Sequence, residues 1–178
     1  MAGQAPRWTE LLAFWFDEAG PKKWYAKDAD FDAAIRARFG AMHERAVAGD
    51  LSGWERQPEG ALALSILLDQ FPRNMFRDSP QAFASDPIAR AVAERAIARG
   101  FDIATPPEKR AFFYLPFMHS ESLADQERAV ALYDALARAQ GKPIDQESWA
   151  RRHLRIVARF GRFPHRNAVL GRLGTEEE

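Results

Sequence analysis

The sequence predicts an all-α protein, with about eight helices joined by short loops and paired into antiparallel hairpins within a single domain, residues 1–178. Three observations point that way. No stretch sustains the apolar–polar alternation of a strand. Eleven prolines and eleven glycines cut the chain into pieces of helical length. Within those pieces apolar residues recur at three- and four-residue spacing, as in Phe31, Ile35, Phe39, Met42 and Ala46.

Residues 8–16 form the first helix, rich in aromatics and stopped by Gly20 and Pro21; residues 31–48 form the second, stopped at Gly49. The third, residues 61–71, is apolar nearly all round through Leu62, Leu64, Ile66, Leu67 and Leu68, which predicts a central position, with Pro72 as its end. Asp86 as N-cap, Pro87 at the first helical position and Gly100 as the stop frame the fourth. Thr105 and Glu108 can satisfy free amides reciprocally at the start of the fifth, which should kink at Pro116 because proline leaves the carbonyl of Phe112 without its donor. Ser122 and Asp125 open the sixth, which runs to Gly141. Asp145 caps the seventh, ending near residue 160, and a short eighth follows Pro164 over residues 166–170. The pairs begin near residues 8, 60, 106 and 146. That irregular spacing excludes a strict repeat and allows a solenoid of diverged helix pairs.

Composition narrows the function classes. At 178 residues and 47% hydrophobic content the chain can build a real core, which excludes a disordered or collagen-like protein. The absence of cysteine excludes disulfides, zinc ribbons, iron–sulfur clusters and cysteine nucleophiles, and makes the cytoplasm the expected location. The longest apolar stretch falls far short of the roughly 20 residues a membrane span needs, and the first residues lack the basic-then-apolar order of a secretory leader. Net charge is zero, yet residues 142–175 hold eight basic side chains against two acidic ones. That cationic quarter is too small for a nucleic-acid footprint and large enough to hold an anion.

Four segments could carry chemistry. Asp69 stands in the last turn of the third helix, where the macrodipole disfavours a carboxylate; on a helix apolar everywhere else it needs a cation, Arg73 or an arginine of the C-terminal quarter. This reads either as a structural ion pair or as the wall of a pocket offering Arg73, Asn74 and Arg77. Past Pro116, His119 lies at a helix end with Glu121 close by, where an imidazole can be oriented and its pKa raised; it is a general acid or base, or a simple cap. On the seventh helix Trp149, His153, Ile156, Phe160 and Phe163 fall in one stripe, read as core, opposite Arg151, Arg152, Arg155, Arg159 and Arg162. That arginine face is either solvated or neutralised by Asp69, Glu121 or a bound anion. Finally, His165, Arg166 and Asn167 lead into the eighth helix, whose free amides favour negative charge. No phosphate loop, dinucleotide fingerprint, zinc-protease motif, nucleophile elbow or calcium loop occurs, and no two of the four histidines are spaced as helical metal ligands, so neither cofactor nor metal is expected.

The segments LALSILLDQFPRNMFR, YLPFMHSE with Gln126 after it, and RFGRFPHRNAVLGR resemble the motifs of an uncharacterised bacterial family of unknown function, number nine-twenty-four among such families. The likeness extends to the early FWF, the Trp24–Tyr25 pair and the AFASD segment. It implies a tetratricopeptide-like helical fold and no particular reaction. It also implies a further segment beyond Gly171 and Arg172, where this chain has Gly174, Thr175 and three Glu.

Each polar motif ends the first helix of a pair, so a stacked array would gather them on one rim. The expected function is binding of a small anionic ligand or acidic peptide, with no nucleic acid and no membrane involved. Arg73, Asn74, Arg77, Arg159, Arg162, His165, Arg166 and Asn167 would bind it, and Asp69 and Glu121 would hold the arginines. Two other readings are a hydrolase or transferase on a phosphate or carboxylate ester with His119 as acid/base, and a protein–protein adaptor engaged through Arg159 and Arg162. Oligomeric state is not legible in the sequence.

Overall fold

The computed structural model describes residues 7–178; the expectation of no secretory leader falls partly on residues 1–6, outside the described residues. These residues are helical without a strand among them. The helices are α1 (Arg7–Ala13), α2 (Pro21–Trp24), α3 (Ala29–Val47), α4 (Pro58–Met75), α5 (Gln81–Ala84), α6 (Asp86–Ala98), α7 (Phe101–Ala104), α8 (Pro107–Met118), α9 (Leu123–Ala139) and α10 (Trp149–Phe160). Helix α1 runs directly into a π-helical turn, Phe14–Ala19, and short 3-10 turns occupy Ser52–Arg56 and Pro164–Arg166. Among the described residues no helix is long and apolar enough to cross a membrane.

Helix α4 is the axis of the molecule. Its apolar residues cover the whole circumference, so it can be satisfied only by neighbours on every side. It packs against α1, α3, α6 and α8, and from Gly60 to Pro72 every residue is buried. The chain continues outward from it, α8 on α9 and α9 on α10. The aromatic half of the core comes from the first helices: Phe14 and Trp15 lie 6.2 and 5.4 Å from Phe71, and Trp15 lies 5.9 Å from Phe112. A Cβ at Gly60 would meet the Trp54 carbonyl oxygen at 2.2 Å, so this glycine is what lets the start of α4 touch the preceding 3-10 turn.

Pro72 does not end the third predicted helix; α4 passes through it to Met75. A proline inside a helix leaves the carbonyl four residues earlier without a donor. Here the Leu68 carbonyl instead accepts from Ser85 Oγ at 2.6 Å. Pro116 is handled the same way, with Ser65 Oγ donating to the Phe112 carbonyl at 2.7 Å. Both prolines are therefore tolerated because a serine on a neighbouring element supplies the missing donor.

Several predicted caps are corrected. Asp86 is the first residue of α6 and caps nothing; its carboxylate binds Arg73. Thr105 donates to the Phe101 carbonyl rather than joining Glu108, and α8 starts after Pro106. Ser122 precedes α9 without a side-chain cap, and Ser148 rather than Asp145 caps α10. No helix forms over residues 166–170; Pro164–Arg166 is a single 3-10 turn. Arg166 and Asn167 thus do not stand at a helix N-terminus, and no array of free amides faces an anion there.

Candidate functional site

The last turns of α4 bring Asp69, Gln70, Arg73 and Asn74 to one end of the molecule, and His119, the residue after α8, meets them there. Asp69 is 1% exposed, and its Oδ1 lies 2.7 Å from His119 Nδ1. Gln70 Nε2 donates to the other carboxylate oxygen at 2.6 Å. Burial alone would push the Asp69 carboxyl up, but the charges of His119 and Arg73 and the hydrogen bonds from His119 and Gln70 hold it well below the usual carboxylate range. An ionised Asp69 can only accept, so His119 Nδ1 carries the hydrogen, and in the neutral ring the lone pair is on Nε2.

Arg73 ties this pair to the rest of the fold. It lies 3.4 Å from the Asp69 carboxylate and forms a two-pronged pair with Asp86 at 2.8 and 2.9 Å. Burial pulls the Arg73 guanidinium down, and the two carboxylates more than restore it. Arg166 faces Asp86 from the other side at 3.8 Å, and its Nη2 donates to the His119 carbonyl at 2.9 Å. Burial, with the charge of Arg73, lowers the Arg166 pKa. The contacts close into a ring that runs from the His119 side chain through Asp69, Arg73, Asp86 and Arg166 back to the His119 backbone. Four separate stretches of chain are thereby locked at one imidazole.

His119 is the shared wall of two hollows. The smaller, about 200 Å³, is polar and is bordered by Gln70, Arg73, Asn74 and Arg77, with Trp24 and Tyr25 at its edge. The larger, about 690 Å³, adjoins it at His119 and Tyr25 and lies between α8, α9 and α10. Nε2 has no hydrogen-bonding partner among the described residues. His153 lines the larger hollow with its ring 6.5 Å from that of His119. Burial pushes the His153 imidazole down; the Trp149 carbonyl at 2.8 Å pulls it up, and the charges of His119, His165 and Arg166 lower it further.

The structure joins some of the sequence-predicted residues and separates others. Arg73, Asn74, Arg77 and His119 meet at the polar hollow, with Asp69 buried against His119 and Arg166 bonded to the His119 carbonyl. Asn74 and Arg77 both donate to Asp32 of α3, Asn74 at 2.8 Å. Glu121 does not reach the His119 imidazole: it pairs with Arg172 at 2.8 Å and accepts from the Phe163 amide at 2.8 Å. Although burial pushes the Glu121 carboxyl up, Arg172 and that amide hold it below its ordinary value. Arg159 and Arg162 are turned away and pair with Glu177 and Glu178. Asn167 donates to Glu178 at 2.7 Å, and His165 is exposed, its ring 5.6 Å from Phe163. The expected rim of eight binding groups is therefore split, because C-terminal carboxylates neutralise Arg159 and Arg162 where they stand.

Two participants escaped the sequence reading. Asp32 and Asp86 each lie in the first turn of a helix, where an acidic residue reads as a response to the dipole, and only the fold turns them toward arginines. The α10 stripe read as core is half open: Phe163 is fully buried, but Trp149 is 68% exposed and His153 lines the larger hollow. An apolar stripe has the same periodicity whether it meets a core or a cavity. Among the described residues no group of three or more His, Asp or Glu could hold a metal ion.

The chain has an overall likeness to known proteins but not to any of assigned activity. It is similar to a solved protein of unknown function from Agrobacterium tumefaciens, at 45% identity over 96% of this chain and 93% of that one, with a TM-score of 0.86. No curated protein matches it. Residues 11–178 match the pattern of a bacterial protein family of unknown function, DUF924, and the chain belongs to that family.

Proposed function

We propose that this protein is a hydrolase or transferase acting on a carboxylate or phosphate ester, with His119 as its acid/base. The observation that carries the reading is the 2.7 Å contact between buried Asp69 and His119 Nδ1, which leaves Nε2 bare at the meeting of two hollows. In the hydrolytic direction Nε2 takes a proton from water as the water oxygen bonds to the acyl or phosphoryl centre. The ester bond to the leaving alcohol then breaks, and the alcohol oxygen takes the proton back from Nε2, giving acid and alcohol. Asp69 fixes the tautomer and steadies the imidazolium, and Arg73 and Arg77 on the wall of the polar hollow bring positive charge to the oxygens that become negative.

Binding of a small anion without turnover is the simpler version of the same site. It is the weaker reading, because it leaves the contact between Asp69 and His119 Nδ1, and the bare Nε2, without a use. The adaptor reading gains nothing from Arg159 and Arg162, which Glu177 and Glu178 occupy. A tetratricopeptide-like stacking draws support from chain neighbours packing in pairs, α3 on α4 and α8 on α9. A cytoplasmic location draws support from the absence of cysteine.

The test is turnover of p-nitrophenyl acetate and p-nitrophenyl phosphate by the full chain and by His119→Ala and His119→Gln. The expected result is a loss of kcat/KM of roughly 10²- to 10⁴-fold in both variants, assayed at a temperature where melting curves show each to be folded. No turnover by the wild type, or equal turnover by the variants, overturns the reading; anion binding that survives without turnover leaves only a binder.

A further inference from the structure

The larger hollow has no part in the chemistry just described, yet it shares His119 with it. Ala111, Leu115 and Met118 of α8, Tyr133 of α9 and Trp149 of α10 line it together with His119. At about 690 Å³ it has the size of a pocket that encloses a small molecule, not of a packing defect. Trp149 and Tyr25, at its margin, are 68% and 71% exposed, an unusual state for two large aromatic rings facing a common apolar space. Its polar residues, besides His119 and the two tyrosines, are Ser148, His153 and Asp145, whose carboxylate is exposed. No lysine or arginine lines it, whereas the adjoining polar hollow has Arg73 and Arg77.

This division of surfaces distinguishes the two ends of any ligand that touches His119. A sugar, nucleotide or phosphate would leave its polar groups unpaired against Leu115, Met118 and Ala111, and Asp145 would repel an anionic one. An uncharged apolar group would instead release water from those walls and from the exposed ring faces. The carbon bearing the ester oxygen would then lie at the imidazole, with its oxygens toward the polar hollow.

We infer that the larger hollow receives the apolar acyl body of the ligand, so that the substrate class is a carboxylic ester of a medium-length acyl group, its ester carbon beside His119 and its chain between Leu115, Met118, Tyr133 and Trp149. This rests on the hydrolase reading for the ester, while the chamber for the acyl body stands on its own geometry. Hydrolysis follows the proton path given above, and the products are the free acyl carboxylic acid and the alcohol.

The test compares p-nitrophenyl acetate, butanoate and octanoate, the last below its micellar concentration, with calorimetric binding of acetate and octanoate to the same full-length protein. Trp149→Ala removes an exposed wall without touching the core, and Ala111→Phe fills the chamber from the half-buried side of α8. Melting temperatures confirm that each variant folds. The expected result is a kcat/KM that rises by about tenfold or more from acetyl to octanoyl, with that preference reduced by about tenfold in either variant. Turnover without chain-length preference, or a preference that both folded variants keep, overturns the inference and leaves the hydrolase reading standing. Octanoate that binds where acetate does not, is excluded by Ala111→Phe and accompanies no turnover of any ester, supports the acyl chamber and overturns the hydrolase reading. Neither turnover nor octanoate binding overturns both.

Discussion

Ser85 Oγ donates to the Leu68 carbonyl at 2.6 Å, and that carbonyl is the one Pro72 leaves without a helical donor. Both groups are buried, Ser85 at 3% exposure and Leu68 at 1%, so water cannot substitute. The Ser85→Ala variant is expected to lose about 1–3 kcal/mol of stability through an unpaired buried carbonyl. In Pro72→Ala the residue regains its amide, so the double variant should lose much less than Ser85→Ala alone. Urea denaturation of the four proteins of this cycle measures the coupling; equal losses from Ser85→Ala in both backgrounds would contradict the account.

Asp69 makes acid stability informative. Its folded pKa lies below its ordinary value of 3.8, so its contribution is fully present above that value and is lost as pH falls through the folded one. Stability should therefore decline below about pH 4, with Asp69 adding up to about 1.4 kcal/mol per pH unit to the slope. Glu121 and other carboxyls with lowered values add their own share. In Asp69→Asn the acid limb should be shallower by one proton, read from urea midpoints between about pH 2.5 and 6.

The arginines should separate by burial. Arg73→Ala leaves Asp69 and Asp86 in low-dielectric surroundings without their shared cation, a loss of about 3–5 kcal/mol. Arg159→Ala removes only an exposed pair with Glu177, both side chains more than 60% exposed, and should change stability by less than about 0.5 kcal/mol. Guanidinium denaturation distinguishes the two; similar losses would mean that the ring around His119 contributes nothing.

Gly60 should resist even the smallest side chain. The methyl group of Gly60→Ala would meet the Trp54 carbonyl oxygen at 2.2 Å, so either the 3-10 turn or the start of α4 must shift. The expected loss is about 1–3 kcal/mol, against the usual gain from replacing glycine within a helix. A stabilised Gly60→Ala protein, measured by thermal melting, would show that the turn yields freely.

The candidate site was half legible. Asp69, Arg73 and Asn74 share two turns of one helix, so a carboxylate in need of a cation could be recognised from local spacing alone. The histidine was recognised too, but with the wrong partner: Glu121 is two residues away in sequence, whereas Asp69 is fifty, and it is Asp69 that holds the ring. The role of Asp86 was hidden by its resemblance to a helix cap.

What the sequence determined by itself is whatever depends on periodicity and composition: an all-helical chain, α4 as its buried axis, and polar motifs at helix ends. Those properties reside in residues three or four positions apart, which a linear text displays. Tertiary structure alone decided that α4 and α8 run through their prolines, because the hydroxyls that complete them come from Ser85 and Ser65 on other elements. It also decided that Trp149 and His153 of the α10 stripe line a cavity and that Arg159 and Arg162 meet C-terminal carboxylates. In each case the deciding group is distant in sequence, and only packing sets which side chain arrives.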